Sequence, residues 1–216
     1  TVKLVPIPTK KHHVKIKDWK TGKTVFEQKD VEAPDTWSDT AVNIATSRWF
    51  RGKLGTPERE TSTEQMFRRV AREITTAGVS LGHIKADERQ GFEDYLVLLQ
   101  QHQKGVFNTP VYLNSGWSKE PRTSACFLLA VEDNYESLTH HTEVEARVFQ
   151  HGGGAGVYVG NISHEGRALS KGGYASGPLY FNEGWDRSSG AIKRGGSHRR
   201  AARDVTLPID HPDCYR

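Results

Sequence analysis

The sequence predicts an α/β protein, and three observations carry that prediction. Up to about residue 105, apolar side chains recur every three or four positions, the period of amphipathic helices. From Val106 onward short apolar segments alternate with loops, a pattern that adds strands to helices. Of the 21 glycines, 13 fall between Gly152 and Gly196, so the last third is built from backbone more than from side chains.

The chain has 216 residues, enough for one ordinary domain or for one large and one small, and it can bury a core. Lys and Arg number 30 against 26 Asp and Glu, a net charge of +4, and 35% of residues are hydrophobic. That balance excludes a disordered tail. The longest apolar run, Cys126 to Val131, is far short of the ~20 residues that span a bilayer, so no membrane partner is expected. Two cysteines, Cys126 and Cys214, are too few for a secreted disulfide scaffold and suit a reducing, cytoplasmic setting.

Residues 1–11 are punctuated by Pro6 and Pro8 and read as a flexible lead-in. His12 to Trp19 and Thr24 to Glu27 alternate, with Lys20 to Lys23 suited to a turn, so residues 1–30 are expected to form an extension and a hairpin. Eight lysines in the first 29 residues suit a nucleic-acid arm or, more simply, the solvated face of that hairpin. Residues 31–105 read as a helical region. Trp37, Ala41, Ile44, Ala45 and Trp49 mark a first helix, closed by Gly52. A capping box from Thr61 to Glu64 is expected to open a second helix, with Met66, Val70, Ile74 and Ala77 inward. A third runs from about Asp87 to Gly105 with Phe92, Tyr95, Leu96 and Leu99 inward. Strands are then expected over Val106–Leu113 and Ala125–Val131, a helix over Tyr135–Phe149, and strands and turns beyond.

Several residues could carry chemistry. Gly152 to Gly160 contains a Gly-x-Gly-x-x-x-Gly spacing, but a dinucleotide turn needs a strand before the glycines and a helix after them, and here the order is reversed. The glycines suit either close backbone approach to a ligand or a tight turn. Lys193, Arg194, Arg199 and Arg200 flank Gly195-Gly196, a composition suited to a phosphate or base clamp, an RNA-binding loop or a solvated turn. Cys126 in an apolar strand reads as a small hydrophobe or as a functional thiol. His140, His141, His151 and His164 match no metal-ligand spacing, so no metal site is expected.

Taken in order, several strings resemble the large subunit of ribonucleotide reductase, in its adenosylcobalamin-dependent (class II) branch. They are Trp37-Ser38-Asp39-Thr40-Ala41, Arg48-Trp49-Phe50-Arg51-Gly52 with Gly55-Thr56-Pro57-Glu58-Arg59-Glu60, Phe107 to Asn114, Ser124-Ala125-Cys126-Phe127, the glycines at 152–156, Tyr174-Ala175-Ser176-Gly177-Pro178, and Gly190 to Ala202 with His211-Pro212-Asp213. The resemblance runs from about Val25 to Asp213. It implies that residues 106–216 are the first, incomplete part of a ten-stranded α/β barrel. It also implies roles. Cys126 matches the cysteine beneath the substrate ribose that is oxidised to a disulfide as the 2′-hydroxyl leaves as water, chemistry suited to thiol pairs. Thr109 matches the edge of the substrate diphosphate site, and Ala125 and Gly154 adjoin the nucleotide. Asp133 matches a residue contacting a deoxynucleotide effector. Val157–Lys171 and Lys193–Arg200 correspond to the two specificity loops, with Lys171, Lys193 and Arg199 on the effector side.

The resemblance further implies an adenosylcobalamin cofactor, a ribonucleoside di- or triphosphate substrate, a thioredoxin-like reductant, the remaining C-terminal part of the enzyme and a possible homodimer. One departure lies in the first loop. Where relatives carry Arg-Ile-Arg this chain has Asn161-Ile162-Ser163, which removes two cations from an anion site, with Arg167 or Lys171 available to compensate. Another is the absence of the family's Asn-Pro-Cys-Gly-Glu segment with the radical cysteine. The chain is therefore expected to be an N-terminal portion, inactive alone, and the resemblance gives no ground for assigning Cys214 the role of a missing cysteine. The alternative classes are a reductase-derived nucleotide-binding regulatory module, recognised by affinity without turnover, and a basic nucleic-acid-binding protein, recognised by steeply salt-dependent affinity.

Overall fold

The computed structural model describes residues 4–150, 152–192 and 202–215. The chain is a mixed α/β protein that divides into two compact units, residues 1–123 and 124–216. In the first unit β1 (Thr9–Lys17) and β2 (Thr24–Pro34) pair antiparallel, with Val14 opposite Gln28 and Ile16 opposite Phe26. Alternation explains the pairing, because Val14 and Val31 are buried while the lysines between them face outward. The turn is held by Asp18, whose carboxylate accepts from the N–H groups of Lys20 at 3.0 Å and Thr21 at 2.7 Å. The expected hairpin forms, but the lead-in is shorter than expected. Strand β1 begins at Thr9, Pro8 accepts from the Asp35 N–H, and the Val5 carbonyl hydrogen-bonds to His102 Nε2 at 2.7 Å.

Helix α1 (Asp39–Ile44) starts at the Ser38 cap and runs into a π-helical turn, Ala45–Trp49, before the chain becomes extended at Phe50. Helix α2 (Thr63–Ser80) opens on a capping box, but between Ser62 and Gln65 rather than Thr61 and Glu64. Its buried face is Met66, Phe67, Val70 and Ala71, and Ala77 is exposed. Helix α3 (Arg89–Gln101) is rotated from its expected face. Phe92 and Tyr95 are exposed, while Glu93, Val97, Gln100 and Gln101 turn inward. Electrostatics explains the rotation, since Arg68 on α2 donates to Glu93 at 3.3 Å and to Asp94 at 2.8 Å.

The strand expected over Val106–Leu113 is instead helix α4 (Thr109–Asn114). Asn108 caps it by accepting from the Val111 N–H, Pro110 suits the first turn, and Tyr112 is buried against Trp49 at 4.8 Å between ring centroids. Two half-buried arginines knit this unit. Arg69 pairs with Glu60 at 2.7 Å and donates to the Tyr112 and Ser115 carbonyls at 3.0 and 2.6 Å. Arg59 donates to Thr46, Phe50 and Gln28 and lies over the rings of Phe26 and Phe50. Burial lowers the Arg59 guanidinium below its ordinary value, and the neighbouring Glu60 charge opposes that shift.

In the second unit β3 (Cys126–Leu129), β4 (Gly154–Tyr158) and β5 (Arg203–Thr206) form a parallel sheet in that order. Parallel neighbours need crossovers, which α5 (Tyr135–Gln150) and α6 (Pro178–Ala191) begin to supply. Helix α5 matches the expected position. Helix α6 was not expected: Gly184, Ser188, Ser189 and Gly190 are poor helix formers, and it is held by Trp185, which is buried and donates to the Leu138 carbonyl at 3.3 Å. The described residues show three parallel strands and no closed barrel.

A buried ionic cluster braces this unit. Glu145 on α5 accepts from both Nε and Nη2 of Arg203 on β5, and Nη2 also donates to Ser189 on α6 at 3.1 Å. His141, one turn before Glu145, lies against the Trp185 ring at 4.3 Å. Burial holds its imidazole below the ordinary 6.5, the Glu145 charge opposes this and Arg203 reinforces it.

Two stability tests follow from these features. At Gly52, with φ +84°, an added Cβ would lie 2.2 Å from the Glu58 carbonyl oxygen, whereas Gly22, at φ +67°, faces open space. Gly22→Ala is expected to cost about 1–2 kcal/mol for its left-handed backbone, and Gly52→Ala at least about 3 kcal/mol in urea unfolding. Equal costs at the two sites would contradict the crowding at Gly52. For His141, the unfolded chain binds more protons than the folded one below pH 6.5, so stability is present above that pH and lost as pH falls beneath it. Denaturation of the second unit is expected at lower urea at pH 5.5 than at 7.5, with a smaller difference in His141→Phe; an unchanged difference would remove His141 as its source.

Candidate nucleotide site

Strand register brings together three of the four expected substrate residues. Cys126 is the partner of Gly154 across the β3–β4 pair, and the Gly154 N–H donates to the Ala125 carbonyl at 2.7 Å. On the other side of β4, the Ala155 N–H donates to the Ala202 carbonyl at 3.0 Å. A Cβ at position 154 would lie 3.4 Å from that Ala202 oxygen and 3.8 Å from Cys126 Sγ, so glycine leaves the thiol's flank clear. Cys126 is a free, exposed thiol, and Leu128, 94% exposed, shows that this part of β3 does not pack a core within the chain. Within this chain Cys126 is therefore an accessible thiol beside a glycine-lined strand and not a packed side chain. Thr109, the fourth substrate candidate, is the first residue of α4 in the other unit.

The glycines lead from α5 into a strand, as expected from their order, and not from a strand into a helix. Tight packing contributes to their number: a Cβ at Gly153 would meet Val148 and Phe127 side chains at 2.8 and 2.9 Å, and one at Gly156 would meet Leu128 at 2.9 Å.

Asp133, in the loop between β3 and α5, accepts a hydrogen bond from the Ser163 hydroxyl, which in turn accepts from Arg167 Nη1 at 2.9 Å. Asn161 Nδ2 donates to the Val131 carbonyl at 2.5 Å, and Ile162 is buried. So Asn161-Ile162-Ser163 anchors its loop by one amide, one apolar side chain and one hydroxyl, and Arg167 carries a cation to Ser163. Lys171 is exposed near the tip of the same segment, where Ala168 bridges Tyr174. Lys193 and Arg199 lie outside the described residues, as does the rest of that basic glycine loop. The roots of that loop are described: Arg203 on β5 donates both to Ser189 on α6 and to Glu145 on α5. Arg203 stands where relatives usually carry a methionine, and its pairing with Glu145 had no local signal in the sequence because the two lie 58 positions apart.

Beside the first loop, Glu165, Gly166, Tyr174, Ala175, Ser176 and Tyr180 line an open groove of about 430 Å³. Among the described residues no three His, Cys, Asp or Glu side chains converge on a metal position, and no helix is long and apolar enough to cross a membrane.

Comparison with known proteins gives this geometry a family. The family model described as "Class II vitamin B12-dependent ribonucleotide reductase" matches residues 10–103, and "Ribonucleotide reductase, barrel domain" matches residues 124–216. The vitamin B12-dependent ribonucleotide reductase of Streptomyces avermitilis is 43% identical over 91% of this chain, and that of Rhodopirellula baltica 36% over 92%. A vitamin B12-dependent ribonucleoside-diphosphate reductase of Mycobacterium tuberculosis is 31% identical over 80%. The chain spans only 20%, 22% and 24% of these relatives' lengths, respectively. With two successive family models covering most of its length and relatives of one name aligning along it, the chain belongs to the vitamin B12-dependent, class II ribonucleotide reductases.

Proposed function

We propose that this chain is the front part of an enzyme that reduces ribonucleotides to 2′-deoxyribonucleotides in the cytoplasm, and that Cys126 is one of its two reducing thiols. The observation that carries the reading is the placement of Cys126, exposed and in register with Gly154 on adjacent parallel strands. In the full-length enzyme Cys126 and a second cysteine outside this chain each give up one proton and one electron. The C2′–oxygen bond breaks, water leaves, C2′ gains hydrogen and the two sulfurs join, so two electrons pass from the thiol pair to the sugar. A thioredoxin-like reductant then restores the pair by disulfide exchange. In this reading Ala125 and Gly154 present backbone to the nucleotide, Thr109 borders its diphosphate, and residues 106–216 begin the ten-stranded barrel.

Asp133 and Lys171 are assigned to a deoxynucleotide effector, together with Lys193 and Arg199. Arg167 supplies a cation where Ser163 has none, with the Ser163 hydroxyl as its contact. The family's adenosylcobalamin does not fit the described residues. His141 is packed under Trp185, His211 uses both ring nitrogens, and no histidine lines the open groove formed by Glu165, Gly166, Tyr174, Ala175, Ser176 and Tyr180. Adenosylcobalamin is therefore assigned to the remainder of the enzyme, as is the radical cysteine, and a homodimer is part of the same reading.

The test uses the full-length enzyme with adenosylcobalamin, a ribonucleoside diphosphate or triphosphate, and dithiothreitol. Cys126→Ser is expected to lower turnover at least 100-fold with an unchanged circular dichroism spectrum, because it exchanges one sulfur for an oxygen of similar size and removes only the redox chemistry. Full turnover in Cys126→Ser would overturn the assignment.

A further inference from the structure

His211 and Asp213, on either side of the exposed Pro212, form a buried clamp on the first loop. His211 is 8% exposed and Asp213 4%. His211 Nε2 donates to the Ile162 carbonyl at 3.0 Å, and Nδ1 accepts from the Asp213 N–H at 3.1 Å. A carbonyl on one nitrogen and an N–H on the other select the neutral Nε2–H tautomer. Asp213 Oδ2 accepts from the Glu165 N–H at 2.9 Å. The clamp thus holds the carbonyl just before Ser163-His164 and the N–H just after them. Ser163 is the residue that joins Asp133 to Arg167. Gly177 closes the arrangement from α6, since a Cβ there would lie 2.8 Å from Asp213 Oδ2 and 2.9 Å from the Glu165 nitrogen.

We infer that His211 and Asp213 are positioning residues for nucleotide binding at the first loop: they fix Ser163, and through it the Asp133–Ser163–Arg167 chain, without touching the ligand. The inference rests on reading Val157–Lys171 as an effector loop. With both neighbouring backbone groups held, the Ser163 Cα is fixed where its hydroxyl meets Asp133 and Arg167, which lowers the ordering cost of presenting the Arg167 guanidinium at binding. Releasing the Glu165 N–H lets the loop sample other conformations, and affinity falls by the fraction that remains competent.

The experiment measures dissociation constants of dATP and dTTP for the full-length enzyme, together with turnover in the absence of any deoxynucleotide. Asp213→Ala is expected to weaken deoxynucleotide binding about tenfold with effector-free turnover within twofold, and Asp213→Asn, which keeps an acceptor oxygen, to restore binding to within threefold. Asp213→Glu keeps the charge but displaces the carboxylate by one methylene, so it is expected to weaken binding at least threefold and serves if the alanine variant folds poorly. Unchanged binding in both Asp213→Ala and Asp213→Glu overturns the clamp, and so does parallel loss of binding, turnover and thermal stability, which marks a merely structural role. Asp133→Ala separates the two levels. If it leaves binding untouched, the effector reading of the loop fails and the clamp falls with it; if it weakens binding while the Asp213 variants do not, only the clamp fails.

Discussion

The parallel pairing of β3, β4 and β5 is the constraint on which the second unit depends. Parallel strands cannot be joined by a tight turn, so each pair demands a crossover, and the crossovers deliver α5 and α6 to the sheet. The same pairing sets Cys126 opposite Gly154 and runs the loop after β4 past the loop after β3. A slip of one residue would exchange the two faces of the sheet and turn the Cys126 thiol away from its present side. Glycines in and just before β4 permit this register, because a Cβ at Gly153 or Gly156 would run into the Phe127 or Leu128 side chain.

Charge burial holds the segments around that sheet. Glu145 and Arg203 are joined by two hydrogen bonds from one guanidinium, and the pair links α5 with the first residue of β5 while Ser189 adds α6. The first unit uses the same device at Glu60 and Arg69, which tie the loop before α2 to the end of α4. Buried pairs of this kind add modest net stability, but removing one partner strands the other, so they favour one arrangement of the chain over its alternatives. Uncharged latches, His211 on Ile162 and Asn161 on Val131, extend the bracing to the first loop.

The hairpin, α1, α2 and α5 were legible because their signals are local: alternation in β1 and β2, and a three-and-four apolar period on the helices. The misreadings share a cause. Val106–Leu113 has strand-like residues, yet Asn108 and Pro110 start a helix there and Tyr112 finds its partner in Trp49, far back in the chain. Phe92 and Tyr95 suggest the inward face of α3, but Arg68 draws Glu93 and Asp94 to that side. Helix α6 is weak by propensity and is set by the packing of Trp185 on α5.

By itself the sequence determined the α/β class, the family, and the residue types of the candidate site: a thiol at position 126, glycines from 152 to 156, and an aspartate at 133. These are properties of residues and of their order along the chain. Tertiary structure alone decided that Cys126 is exposed, that Ala125, Cys126 and Gly154 share one stretch of sheet, and that Asp133, Ser163 and Arg167 join in one hydrogen-bonded chain. Those are contacts between residues some 30 positions apart, and strand register and loop bracing, rather than local propensity, decide which such residues meet.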